Sequence, residues 1–176
     1  VIGAEAAARA APDGLTLLIN SSMPTVPAMV ARVPYNTLED FVGIAVAGFS
    51  PYVLVVNPQV PARTAQELLT LMRATPDRFH IAATGTGSGV HVAVELFRAI
   101  ARVQSDVVHY RGGGPSVAAL VGGEVRVGLP TMASSIGQVR GGALRALAVL
   151  AEQRTPVLPD VPSTREAGLP GLVLEE

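Results

Sequence analysis

From Tyr52 to Val56 the chain reads Tyr-Val-Leu-Val-Val, a continuous apolar run of the kind that is buried on both faces of a sheet. The period then changes. Behind Thr64-Ala65-Gln66-Glu67, which has capping-box spacing, Leu68, Leu71 and Met72 recur at helical intervals. The two periods alternate along the rest of the chain. Residues 79–83, 107–110, 124–129 and 144–150 read as strands, separated by helices after Gly89, over 117–121 and near 136–140. In the helix after Gly89, Val92, Leu96 and Ile100 share an apolar face. Upstream, alanine-rich residues 4–11 with Glu5 and Arg9 predict a helix that stops at Pro12-Asp13-Gly14. Residues 15–19 and 42–49 read as two further strands. Ser163-Thr164-Arg165-Glu166 predicts a second capped helix, short and stopped at Gly168. This alternation predicts an α/β fold with mostly parallel sheets.

The strand ends are where the polar residues collect. Ile81-Ala82-Ala83-Thr84-Gly85-Thr86-Gly87-Ser88-Gly89-Val90-His91 runs from a strand, through small hydroxyl and glycine residues, into a helix. Glycines let the backbone approach a ligand closely, and a helix start offers unpaired N–H donors and a positive dipole end. Such a junction suits a carboxylate or phosphate; the plainer alternative is a turn whose Ser or Thr only caps the helix. Arg111-Gly112-Gly113-Gly114-Pro115-Ser116 repeats the arrangement, with Pro115 suited to a first helical turn. Residues 20–25 and 130–135 form two more polar strand-end loops, and a cleft between two lobes would gather all four.

Composition narrows the chemistry. Of 176 residues 49% are hydrophobic, enough for a core, and a net charge of −1 argues against a nucleic-acid partner. All the basic residues are Arg, so no P-loop lysine exists, and the lack of Cys removes disulfides, thiol catalysis and thiolate metal sites. No apolar run approaches the ~20 residues that span a bilayer. Val1 opens without an initiator Met, so the chain reads as a segment of a longer protein. Gly85 and Gly87 supply only two glycines of a dinucleotide fingerprint, and Asp106 begins its strand where a ribose-binding acid should end it. Ser88, His91 and Asp106 hint at a hydrolase but lack the G-x-S-x-G elbow. His80, His91 and His109 are dispersed and carry no carboxylate at metal-ligand spacing. Loops rich in N–H and hydroxyl donors but poor in acids favour binding an anion over catalysis.

Several motifs occur in a specific order. They are Pro12-Asp13-Gly14-Leu15-Thr16-Leu17-Leu18, Val33-Pro34-Tyr35-Asn36, Leu54-Val55-Val56-Asn57-Pro58 and Gly85-Thr86-Gly87-Ser88 with His91. Tyr110-Arg111-Gly112-Gly113-Gly114-Pro115, Leu144-Arg145-Ala146-Leu147-Ala148-Val149 and Leu158-Pro159-Asp160-Val161-Pro162-Ser163 follow. Nearly end to end, this series resembles the Bug family, the TctC-like solute-binding receptors of tripartite tricarboxylate transporters.

The resemblance implies a two-lobed type II periplasmic binding protein fold, with the first lobe incomplete in this chain. It places residues 1–58 in the first lobe, 59–149 in the second, and 150–176 in a return to the first. It implies a periplasmic receptor that captures an organic carboxylate and delivers it to the membrane components of a transporter, with no cofactor, no metal and no catalysis. Asn20 and Ser22 match the first-lobe loop of hydroxyl and amide donors. Thr84, Gly85, Thr86, Gly87, Ser88 and His91 match the carboxylate-binding loop. Tyr110, Arg111, Gly112 and Gly113 match a Tyr-Lys-Gly loop, with Arg111 in place of the usual Lys. Pro130 stands where the family often has Asp. A periplasmic carboxylate sensor and a small α/β hydrolase are the alternative functions.

Overall fold

The computed structural model describes residues 2–20 and 32–175. The chain divides into two compact units, Val1–Gly48 with Gly87–Gly89, and Phe49–Thr86 with Val90–Glu176. In the first, helix α1 (Ile2–Ala8) carries the expected i,i+4 pair just beyond its end, Arg9 to Glu5 at 2.7 Å. The Pro-Asp-Gly turn forms as predicted: the Leu15 N–H donates to Asp13 Oδ1 at 2.9 Å, and Gly14 sits at φ +77°. Farther along, the Tyr35 ring meets Phe41 edge to face at 5.7 Å.

The strands expected over 15–19 and 42–49 do not form among the described residues. Leu15, Leu17, Ile19, Val42, Ile44 and Val46 are exposed instead. Alternation reports a face that suits burial, but a strand exists only when a neighbour takes up its N–H and C=O groups.

The second unit is built on one five-stranded sheet: β1 (Val53–Val56), β2 (Ile81–Thr84), β3 (Val107–Tyr110), β4 (Val127–Gly128) and β5 (Arg145–Val149), in the order β3-β2-β4-β1-β5. The expectation of mostly parallel pairing holds for β2 with β3 and with β4, but β1 runs antiparallel to both β4 and β5. A run buried on both faces reveals its burial and not its direction, so nothing in residues 52–56 distinguished the two. Helices α2 (Ala65–Ala74), α3 (Gly89–Ala101), α4 (Gly113–Gly122) and α5 (Met132–Arg140) join the strands.

The pleat divides the core. Leu54, Val56, Ile81 and Ala83 pack with Leu68, Met72 and Phe97 on one face, while Val53, Val55 and Ala82 pack with Val117, Leu120 and Met132 on the other. Fully burying each large side chain contributes about 1.5–3 kcal/mol, so β1 anchors both layers. Helix α4 presses close to β4: a Cβ on Gly128 would lie 2.6 Å from Leu120 Cδ1, a space that only glycine leaves open.

The two predicted capping boxes differ: at Thr64 the Glu67 carboxylate accepts from the Arg63 N–H and not from the Thr64 N–H, whereas at Ser163 both bonds form. Thr64 accepts from the Glu67 N–H at 3.2 Å and α2 follows. Ser163 and Glu166 bond reciprocally, at 2.9 and 3.3 Å, yet only turns follow. Gly168 at φ +77° and then Pro170 stop the helix before it can propagate. The Ser163 N–H, then the Arg154 guanidinium, hold the Glu166 carboxyl below its ordinary range.

Candidate functional site

Register places Thr84 opposite Tyr110 and Ala82 opposite Gly128, so β2, β3 and β4 all end on the same side of the sheet. The carboxyl ends of parallel strands are where open α/β sheets hold ligands. A pocket of about 250 Å³ lies there. Thr84 closes β2, Gly112 and Gly113 open α4, and Ser116 follows one turn on. Thr131 and Ser134 from the start of α5, with Val90 and Pro130, complete the lining.

Two helix starts converge on this pocket in different states. At α5, Thr131 caps in the usual way, its Oγ1 accepting from the Ser134 N–H at 3.3 Å. At α4 the cap is Gly112, at φ +108° and ψ 173°, with no capping side chain. The first N–H groups of α4 therefore keep their donors for another partner. Ser116 is buried, lines the pocket, and makes no side-chain hydrogen bond among the described residues. Ser134 donates to the Thr131 carbonyl at 2.9 Å and accepts from Thr131 Oγ1 at 3.0 Å. None of the lining residues is acidic. Free N–H groups, hydroxyls and two positive dipole ends are suited to a carboxylate.

Behind Thr84 stands a pair of imidazoles. His109 Nδ1 lies 2.9 Å from the Thr84 carbonyl, which only accepts, so Nδ1 carries the proton. The His109 ring meets His91 edge to face at 4.9 Å. This bond holds the end of β2 and, with it, the Thr84 side chain. His109→Asn keeps a donor near the Nδ1 position and is expected to retain ligand affinity, whereas His109→Ala is expected to lose about three- to tenfold. Parallel calorimetric titrations check this; equal affinities for the two variants would refute it.

Of the residues singled out in the sequence, Thr84, Gly112 and Gly113 meet in the pocket. Gly85 and Thr86 are exposed in the loop after β2, followed by buried Gly87, at φ +78°, and half-buried Ser88. His91 lies in the first turn of α3, against His109. Tyr110 ends β3 half-buried, its phenol pKa raised by burial and by Glu124. Arg111 is exposed, as is Asn20 in the first unit, and Ser22 lies outside the described residues. Sequence reasoning singled out the loop at 130–135 without assigning Thr131 or Ser134, and passed over Ser116. The Gly-Pro-Ser order that opens α4 was the signal available for Ser116.

Residues 1–175 match the profile of the tripartite tricarboxylate transporter family receptor, TctC. The chain belongs to the TctC family. Among curated relatives, protein BugT of Bordetella pertussis is 35% identical over 98% of this chain and 54% of its own length. A UPF0065 protein of Pseudomonas sp. (strain P51), from the tcbD-tcbE intergenic region, is 38% identical over 97% of this chain and 52% of its own. The chain thus spans about half the length of these relatives. Among solved TctC-like structures, MatC from Rhodopseudomonas palustris with bound malate superposes with a TM-score of 0.90 at 30% identity, covering 99% of this chain and 60% of MatC. A second protein of that organism, solved with adipate, gives 0.93 at 28% identity over 99% and 59%. The α/β class and the type II periplasmic binding protein fold expected from the sequence are those of this TctC chain. Its relatives are solute-binding receptors rather than enzymes.

Proposed function

We propose that the protein is a periplasmic receptor that captures an organic carboxylate and delivers it to the membrane components of a tripartite tricarboxylate transporter. The observation that carries this reading is the uncapped start of α4 facing the hydroxyls of Ser116, Thr131 and Ser134 in a pocket without acids. One carboxylate of the ligand docks there, accepting from the N–H groups behind Gly112 and from Thr84 and Ser116. The malate and adipate held by the two solved relatives support a small dicarboxylate as its class.

Residues 1–58 and 150–176 are assigned to the first lobe and 59–149 to the second. In this reading Asn20 and Ser22 are ligand-binding residues of the first lobe, and Gly85, Thr86, Gly87, Ser88, His91, Tyr110 and Arg111 are ligand-binding residues of the second. Closure is driven by contacts that exist only when both lobes meet the ligand. The protein needs no cofactor and catalyses nothing. No helix among the described residues is long and apolar enough to cross a membrane.

Calorimetric titration of the full-length protein with mono-, di- and tricarboxylates tests the reading. One acid is expected to bind saturably with one-to-one stoichiometry, and Ser116→Ala to weaken it about tenfold, the worth of a hydrogen bond to a charged group. Silence across the panel would overturn it.

A further inference from the structure

A second pocket, also of about 250 Å³, lies at the opposite pole of the same sheet. Arg78, His80, Glu124 and Arg126 line it, together with Gly123 and Val125. His80 directly precedes β2 and Arg126 directly precedes β4, so this pocket faces the amino ends of the strands whose carboxyl ends form the site above. Its backbone is well anchored. Arg78 closes a 3₁₀ turn (Pro76–Arg78), with its N–H on the Thr75 carbonyl at 3.1 Å. Arg126 sits between buried Val125 and Val127, and its carbonyl accepts from the Asn57 N–H at 3.0 Å. Gly123, at φ +77°, ends α4.

The side chains, by contrast, are uncommitted. The side chains of Arg78, His80 and Arg126 make no hydrogen bond or ion pair among the described residues. Elsewhere in the same unit Arg73, Arg140 and Arg145 bond carbonyls and Arg98 and Arg154 bond carboxylates; the side chains of Arg63, Arg102, Arg111 and Arg165 are also unbonded, but Arg78 and Arg126 share one pocket. Two guanidinium forks and an imidazole, brought together from separate segments, offer donors from several directions. A planar carboxylate is satisfied by one fork; a tetrahedral oxyanion uses several. Glu124 in the same lining can only accept when ionised, so it favours an oxyanion that still carries a proton. Phosphate near neutral pH does, and sulfate does not.

We propose that this pocket is a phosphate-binding site, separate from the carboxylate site. Its source is either free phosphate or the phosphate of a lipid headgroup, a chemistry that the two share.

The test is calorimetric titration of the full-length protein with inorganic phosphate at low ionic strength, where exposed charges are least screened. Saturable one-to-one binding is expected, tighter for phosphate than for sulfate. Arg78→Ala and Arg126→Ala should each weaken it about tenfold or more. Both residues are exposed, and unchanged melting curves are expected to show that neither variant fails to fold. Ser116→Ala should leave phosphate binding intact, and Arg126→Ala should leave carboxylate binding intact, which keeps this proposal independent of the receptor reading. Sedimentation with phosphatidylglycerol vesicles separates the sources: phosphate-displaceable binding assigns a headgroup, and phosphate binding without vesicle binding assigns the free ion. Absence of saturable phosphate binding, or an affinity unchanged in the double variant, would overturn the proposal.

Discussion

Gly112→Val is expected to abolish carboxylate binding, by about a hundredfold or more, while leaving a folded protein. Gly112 sits at φ +108° and ψ 173°, a region that side-chain-bearing residues essentially never occupy. No atom lies within 4 Å of the place a Cβ would take, so the effect is conformational and not one of crowding. To accept a side chain, the backbone must rotate, which turns the free N–H groups at the start of α4 away from the pocket. Losing two hydrogen bonds to a charged group accounts for the expected factor. The strain itself costs about 1–3 kcal/mol, and each kcal/mol lowers the melting temperature by about 2–4 °C in a chain of this size. Gly114→Ala is the matched control. It has ordinary φ and equal space, and is expected to leave both affinity and melting temperature nearly unchanged. Calorimetry and thermal melts on both variants decide the matter; wild-type affinity in Gly112→Val would refute the role given to the α4 start.

Asn57→Ala is expected to lower the stability of the sheet unit by about 2–4 kcal/mol. The Asn57 side chain is buried directly after β1. Its Nδ2 donates to the carbonyls of Leu120 and Val121, at 2.8 and 3.1 Å, near the end of α4, and its Oδ1 accepts from the Gln59 N–H at 3.0 Å. Alanine removes all three bonds at once, each worth about 1 kcal/mol, although the Leu120 carbonyl keeps the Gly123 N–H at 3.2 Å. Asn57→Asp should be worse, because it keeps the acceptor for Gln59 but sets a carboxylate against two carbonyl oxygens. Urea unfolding checks the order, with midpoints falling from wild type to Asn57→Ala to Asn57→Asp at constant slope. An aspartate variant as stable as wild type would remove Asn57 from this role.

Asn57 also shows how far sequence reading reached. Beside Pro58 it reads as the end of a strand, which is correct, but the two carbonyls it binds lie more than sixty residues away. The strand-to-helix junctions were legible because glycine, hydroxyl residues and a change of period coincide at 84–91 and 112–116. The pocket lining was legible only in part. Thr84, Gly112 and Gly113 stand in conspicuous glycine-rich loops, whereas Ser116 is one polar residue in an apolar helix and Thr131 resembles any capping residue. The exposed runs at 15–19 and 42–49 mark the other limit, since a strand pattern cannot supply its own neighbour.

By itself, then, the sequence determined most elements of the sheet unit, its α/β class, the glycine- and hydroxyl-rich character of its strand ends and the family. All of these follow from local period, turn chemistry and the order of short motifs. Tertiary structure decided the reversed direction of β1, the use of Asn57 as a link between β1 and α4, and the convergence of α4 and α5 on one pocket. It also decided the gathering of Arg78, His80 and Arg126 at the opposite pole. Each depends on contacts between segments distant in the chain, and hydrophobic periodicity records which face of a segment is buried but not what buries it.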